Sequence, residues 1–320
     1  MHELLLLSPV TLAVTLYLTH RLRLPAERFG LVDTPGGRKD HEDDTPLVGG
    51  TGMFAGFAFG ALLLSSGLNP YRPLFAGMGL LLIVGLLDDL HDLSAREKIS
   101  LQLGAALVLV IWGGLQIEHL GLLPGVGWLE LGWLAVPFTV VCVVGLINSV
   151  NMLDGMDGLA GSIVLAMLFW LVVIGLGAEA FTAVALPVLL ASAVIGFLFF
   201  NFPVPGRRCA SVFMGDSGST ILGFALAWFA IDLVFGQGID VPPVTIAWIM
   251  ALPIFDAITL MIRRAMKGRN PMAADQEHLH HIFVRAGFSA RSTVYLAALA
   301  TFLLGGVGVL GWKLGVPEWI

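Results

Sequence analysis

Apolar residues run through this chain in long blocks, and polar residues fall in the short gaps between them. Ten blocks, near 3–20, 48–66, 71–87, 99–116, 131–148, 159–177, 180–200, 218–235, 243–262 and 293–311, approach membrane-crossing length. A helix needs about 20 mostly apolar residues to cross a bilayer. No block alternates with period two, so each reads as a helix, which satisfies its own backbone groups in lipid. The pattern holds no internal repeat and no low-complexity linker. It predicts an all-α polytopic integral membrane protein, one domain over residues 1–320, built as a single bundle of about ten transmembrane helices. The first block, in MHELLLLSPVTLAVTLYLTHRLR, has no Lys or Arg ahead of it and basic residues behind it. That is the reverse of a signal peptide, so it is expected to stay as the first span.

Composition agrees. The chain is 57% hydrophobic and 12% charged, against about 25% charged in a soluble domain, and its mean hydropathy is +0.88. The net charge of −6 carries little meaning until it is sorted by membrane side. Ten spans place the loops 21–47, 88–98, 149–158, 201–217 and 263–292 together, and these hold 15 of the 17 Lys and Arg residues; only Arg72 and Lys313 fall opposite. The positive-inside rule makes the basic side cytoplasmic and turns both termini away from it. Cys142 and Cys209, in an apolar run and a basic loop, read as two free thiols. The bilayer is the expected macromolecular partner, and no nucleic acid is.

The acidic residues collect on the same side from three separate loops. Asp88, Asp89 and Asp92 lie in 86-LLDDLHDLSAREK-98, where Asp88 and Asp92 share a helical face. Adjacent carboxylates at the end of an apolar helix repel and are costly to desolvate, so water, a cation or a basic group must neutralise them. A solvated helix end is the plainer reading. In 148-NSVNMLDGMDGLAG-161, Asn148 and Asn151 share one face and two Asp-Gly steps then break the helix. A turn between two spans needs only one such step. The start resembles an EF-hand, but the twelve-residue loop and its terminal Glu are missing. In 207-RRCASVFMGDSGSTILGF-224, Asp216 opens a helix among Gly215, Ser217 and Gly218. It suits an N-cap, a metal ligand, or both, and a helix N-terminus favours phosphate.

The loop 263-RRAMKGRNPMAADQEHLHHIFVRAG-287 carries Arg263, Arg264, Lys267 and Arg269, then His278, His280 and His281. A zinc site would want cysteine or a second ligand pair, and neither is present. Histidines among basic residues suit a diphosphate, although the Arg and Lys also serve as positive-inside anchors. Arg38, Lys39 and His41 precede the entry to the second span, while Glu42, Asp43 and Asp44 read as a solvated face. Asp256 falls inside the ninth span, where a carboxylate is a functional suspect; a structural ion pair is an equal reading. Carboxylates and Asn oxygens suit Mg²⁺ or Mn²⁺, and Arg, Lys and His suit phosphate. The residues alone therefore point to a metal-dependent reaction of a phosphorylated substrate at the cytoplasmic membrane surface. A transporter would place polar groups near the midplane and show repeat symmetry, and the charged set here is confined to one face.

The set DDxxD, NxxNxxDGxDGL, FMGDSGS and the histidine-rich loop resembles the polyprenyl-phosphate N-acetylhexosamine-1-phosphate transferase family, with its motifs in order from Arg38 to His281. Within it, RKDHEDDTPLVGG, the Arg-Arg pair and DQEHLHHIFVRAGFS look most like the bacterial branch that uses undecaprenyl phosphate and UDP-GlcNAc. The resemblance implies transfer of GlcNAc-1-phosphate to undecaprenyl phosphate with release of UMP and with Mg²⁺ or Mn²⁺. It implies a bacterial inner membrane and a first step of O-antigen or common-antigen type; another UDP-N-acetylhexosamine is the alternative. By the same resemblance Asp216 and Asp89 would ligate the metal, and Asp88, Asp89 and Asp216 would be catalytic. Asn148, Asn151, Asp154 and Asp157 would belong to the nucleotide-side motif. His278, His280 and His281, with Arg263 and Arg264, would hold the diphosphate and sugar, and Lys39 and Lys98 would be basic substrate contacts. Family members are expected to continue past PEWI into one more apolar span. A homo-oligomer is left open.

Overall fold

The computed structural model describes residues 2–34, 44–204, 209–268 and 278–318. In chain order these form α1 (His2–Phe29), β1 (Val32–Asp33), β2 (Thr45–Pro46), α2 (Gly49–Leu62), α3 (Arg72–His91), α4 (Ala95–Leu107), β3 (His119–Leu123), β4 (Gly127–Glu130), α5 (Ala135–Leu153), α6 (Leu159–Gly177), α7 (Phe181–Asn201), α8 (Gly215–Ile231), α9 (Pro243–Ile249), α10 (Ala251–Met266), α11 (Leu279–Arg285) and α12 (Ala290–Lys313). The strands make two short antiparallel pairs, β1 with β2 and β3 with β4. The fold is an all-α polytopic membrane bundle.

Helix α8 is its axis. Every residue of α8 except Asp216 is buried, with α3 and α5 packed most extensively against it and α2 beside them. Burial on every side places this helix at the centre of the bundle, away from lipid. Around it the outer faces of the other helices carry large exposed apolar side chains, among them Ile83, Ile111, Val141 and Leu303, as lipid contact requires. On the rim, Thr11, Thr15 and Thr19 of α1 lie buried directly on Gly60, Gly56 and Gly52 of α2. Small residues at this spacing let two membrane helices approach closely.

All ten expected spans land on helices, but three differ from plain spans. Helix α2 has 14 residues, because the apolar Leu63 and Leu64 already belong to the turn that closes it. Helix α4 passes into a π-helical turn at Val108–Trp112. The run 243–262 is broken at Met250, where α9 and α10 meet at a bend of 77°. Among the described residues seven helices are long and apolar enough to cross a bilayer, or eight if the bent pair is one span. The count of ten therefore includes α2 and α4, which fall short by that test. Hydropathy registers the run of apolar residues and is blind to the break within it.

The loops that carry most of the basic residues are tied together at one end of the bundle. Gly49 and Gly50, opening α2, donate to the carbonyls of Phe213 and Met214 at 3.0 Å each. Gly158 donates to Asn201 Oδ1 at 2.7 Å, and Arg291 Nε donates to the Pro203 carbonyl at 3.1 Å. Two glycines bring backbones to the start of α8: a Cβ on Gly50 would collide with Gly218, and one on Gly85 with the backbone of Ser217. Gly79, on the same helix as Gly85, faces open space.

Gly85→Ala is expected to push α3 off the start of α8 and to destabilise the fold by about 1–3 kcal/mol, the usual cost of overpacking. Gly79→Ala should cost nothing measurable. Denaturant unfolding of both variants in detergent checks this, and equal stabilities would remove the close approach as a constraint.

Candidate active site

The turn between α3 and α4 sets the first two groups. Asp92 ends α3 in the left-handed region at φ 52°, and Ser94 then starts α4 with a capping box to Glu97. That start fixes Lys98 in the first turn of α4, facing back over the end of α3. Asp88 is buried there. Its Oδ1 accepts the N–H of Leu93 at 2.8 Å, and its Oδ2 is ion-paired with Lys98. The same Nζ reaches Asp216 Oδ2 at 3.2 Å. Asn151, near the end of α5, donates Nδ2 to Asp216 Oδ1 at 3.0 Å and to Ser219 Oγ at 2.9 Å. Four residues from four helices, Asp88, Lys98, Asn151 and Asp216, thus line one cleft with Gln102, Asn148 and Thr220.

Asp89 holds this arrangement from behind. Its Oδ1 accepts the N–H of Asp216 at 2.9 Å and its Oδ2 that of Ser217 at 3.5 Å, so a carboxylate from α3 caps the start of α8. An acid at a helix N-terminus is favoured by the unpaired N–H groups there. Gly215 makes the approach feasible: it has φ 72°, and a Cβ would stand 2.6 Å from Asp89 Oδ2. Each Asp89 oxygen keeps further acceptor capacity, but its first duty is to the α8 backbone.

The Asn and Asp residues between α5 and α6 split into distinct jobs. Asn148 spends its amide on Gln102 Oε1 at 2.6 Å and on the Val144 carbonyl at 2.8 Å. Asp157 Oδ2 accepts the Ala210 N–H at 2.7 Å, tying the 154–158 turn to the segment that leads into α8. Asp154 is pushed up to about 8, first by burial and then by the charges of Asp216, Asp89 and Asp157. No cation is among the groups that act on it.

The histidines stand against the same turn. A Cβ on Gly155 would meet His280 Nε2 at 2.7 Å. The ring of His280 lies 5.6 Å from that of His278 and 4.2 Å from that of His281. His280 is held down to about 4 by burial and by its two histidine neighbours, and both its ring nitrogens are buried without a hydrogen-bond partner. Arg264 is buried on α10, whereas Arg263 beside it is exposed and is not brought to either cluster. Lys39 lies outside the described residues.

Sequence reasoning passed over three groups that the structure places in the framework of the site. Gln102 is buried and clasps Asn148; it sits four residues after Lys98, on the same helical face. Asn201 is buried between Gly158 and the Val212 carbonyl, which its Nδ2 reaches at 3.0 Å. Ser219 shares the amide of Asn151. The legible signal in the first two is a single amide ending or interrupting an apolar run. Among the described residues no three His, Cys, Asp or Glu side chains form a metal cage by themselves; the hard oxygens of Asp88 and Asp216 converge instead on one ammonium.

The sequence profile of glycosyl transferase family 4 matches residues 71–234, which takes in Asp88 through Asp216 and stops before the histidines. The undecaprenyl-phosphate α-N-acetylglucosaminyl 1-phosphate transferase of Escherichia coli K12 is 34% identical over 98% of this chain and 85% of its own length. The Yersinia pestis protein of the same name is 36% identical over 93% and 82%. A Bacillus subtilis protein, named as a probable undecaprenyl-phosphate N-acetylglucosaminyl 1-phosphate transferase, is 32% identical over 92% and 81%.

The raised Asp154 fixes the sign of a pH effect. The folded chain keeps this proton up to about pH 8, while an unfolded Asp loses it near pH 4. Stability from this group therefore falls as pH rises from about 4 to about 8. Asp154→Asn keeps the shape and removes the charge. With a chelator present, it is expected to raise the melting temperature more at pH 8 than at pH 5. Equal shifts at the two pH values would show that Asp154 is already ionised at pH 5.

Proposed function

The chain belongs to glycosyl transferase family 4, and from that membership and the shared Lys98 we propose that it transfers GlcNAc-1-phosphate from UDP-GlcNAc to undecaprenyl phosphate. An oxygen of the lipid phosphate attacks the β-phosphorus of the nucleotide sugar, and the bond from that phosphorus to the UMP oxygen breaks. The products are undecaprenyl-diphospho-GlcNAc and UMP. The reaction is placed at the cytoplasmic face of a bacterial inner membrane, as the first membrane step of a cell-surface polysaccharide. The relatives' names support the donor sugar and the lipid, and the one-sided distribution of Lys and Arg supports the face.

The observation that carries the reading is that Asp88 and Asp216, from helices far apart in sequence, grip one ammonium at the rim of a membrane bundle. Phosphoryl transfer is dominated by positioning and charge neutralisation. A phosphate monoester has a second pKa of about 6, so the lipid phosphate is already mostly ionised at pH 7 and needs no strong base. Asp88, held by Leu93 N–H and Lys98, suits positioning of Lys98 better than proton abstraction. Lys98 is set to meet the phosphate oxygens. Asp154 and Asp157 border the turn on which the nucleotide would rest, and the histidines close it from the other side.

The donor set also fits Mg²⁺ or Mn²⁺. Mg²⁺ is commonly held by one or two carboxylates, with waters and substrate phosphates completing its shell. Asp216 and Asp89 would supply those carboxylates, since each keeps acceptor capacity beyond its present hydrogen bonds. Such a cation would offset the charge developing on the leaving UMP.

The test uses purified protein in detergent with undecaprenyl phosphate, Mg²⁺ and a panel of UDP-sugars, following UMP and the lipid product. UMP release is expected with UDP-GlcNAc and to require both lipid and metal. Asp216→Ala should lower turnover by about 10²-fold or more, as removal of a principal electrostatic group does, while the protein still inserts. Release with a different UDP-N-acetylhexosamine alone would replace the donor. No release from folded protein with any donor would sink the reading.

A further inference from the structure

Asp256 belongs to neither cluster described above, and its geometry gives it a definite task. It lies in the second turn of α10, just past the bend at Met250. Its carboxylate divides between two partners at the start of α11, the N-cap residue His278 and Leu279. Oδ2 is 3.0 Å from Nδ1 of His278, with both side chains about nine-tenths buried. Oδ1 accepts the N–H of Leu279 at 2.9 Å. One carboxylate therefore both starts the histidine helix and fixes its first ring.

From this we infer that Asp256 is a positioning residue that sets the protonation and orientation of His278 for the phosphate-bearing substrate. An ionised carboxylate can only accept, so Nδ1 of His278 carries a proton, and Nε2 is the nitrogen left for other partners. To donate from Nε2 to a phosphate oxygen the ring must carry both protons, and Asp256 is then its buried counter-ion. His280 stacks on His278 at 11° between ring planes and rests on Gly155. The anchor at Asp256 thus also places the next ring on the turn at 154–158. The ion-pair and functional readings of Asp256 merge: the pair is the means by which it acts.

The inference rests on the transferase reading for its substrate, and the test separates the two. Asp256→Asn keeps an oxygen for the Leu279 N–H but turns an NH₂ group toward His278. That group can only donate, so Nδ1 must become the bare nitrogen. Full-length protein labelled with ¹⁵N-histidine, its His278 signal assigned by loss in His278→Gln, is expected to show Nδ1 protonated in the wild type and bare in Asp256→Asn. The variant should keep its melting temperature, while KM for UDP-GlcNAc rises about tenfold or more, the loss of one charge-assisted hydrogen bond, and kcat changes less. A bare Nδ1 in the wild type, or a variant KM within twofold of wild type, would overturn the inference. If the variant does not fold, the wild-type spectrum decides. Wild-type protein that releases no UMP would overturn the transferase reading, and the spectrum, which needs no substrate, would still judge the Asp256–His278 pair.

Discussion

One ammonium holds the working end of this bundle together. Asp88 and Asp216 bring two negative charges to the ends of two packed apolar helices, and Lys98 lies between them. At an effective dielectric of 20, two unit charges 4 Å apart interact by about 4 kcal/mol. Without the ammonium that energy would be repulsion, applied where α3 meets α8. With it, α3, α4 and α8 share a common end. Asp89 strengthens the joint by capping α8, and Asn151 extends it to α5. Other placements follow: the buried axis at α8, the glycine contacts at Gly50 and Gly85, and the turn at 154–158 that leans on the segment ahead of α8.

Much of this could be read from the residues, because membrane helices write their limits in composition. The apolar blocks found every main helix, and the sorting of Lys and Arg found the end at which Asp88, Asp154 and Asp216 meet. What could not be read depends on local geometry. The break at Met250 lies inside a continuous apolar run. The inward turn of Asn148 toward Gln102 depends on two helices being neighbours, and no spacing within either helix encodes that. Arg263 and Arg264 are adjacent in sequence, yet the turn of α10 buries one and exposes the other. Asp89 illustrates the same limit: its acidity suggested a ligand, and its position first makes it a cap.

The site is assembled from helix ends, and this explains why glycine recurs around it. An end has unpaired N–H groups that a carboxylate or phosphate can use, but only if the neighbouring backbone comes close. Gly215 provides that closeness for Asp89, and Gly155 for His280. A larger residue at Gly215 would push Asp89 off the α8 N–H groups, and one at Gly155 would push the His280 ring off the turn. Phosphoryl transfer leaves little covalent work to the protein and depends on distances. The tight backbone contacts and the charges of the candidate site are therefore one design problem, solved at the same few residues.

Two systems of charge then face each other across the turn at 154–158. On one side acids outnumber bases, and Asp154 is pushed toward its neutral form by its neighbours. On the other, burial first and then the rings of His281 and His278 hold His280 neutral as well. Under the proposed reaction a divalent cation would bring positive charge to the carboxylates, and the diphosphate of the nucleotide sugar would meet the histidines. A cation alone would leave the histidine side unanswered, and a diphosphate alone would meet the carboxylates. The groups that would receive the two are held on opposite sides of one turn, at Asp154 and at His280 against Gly155.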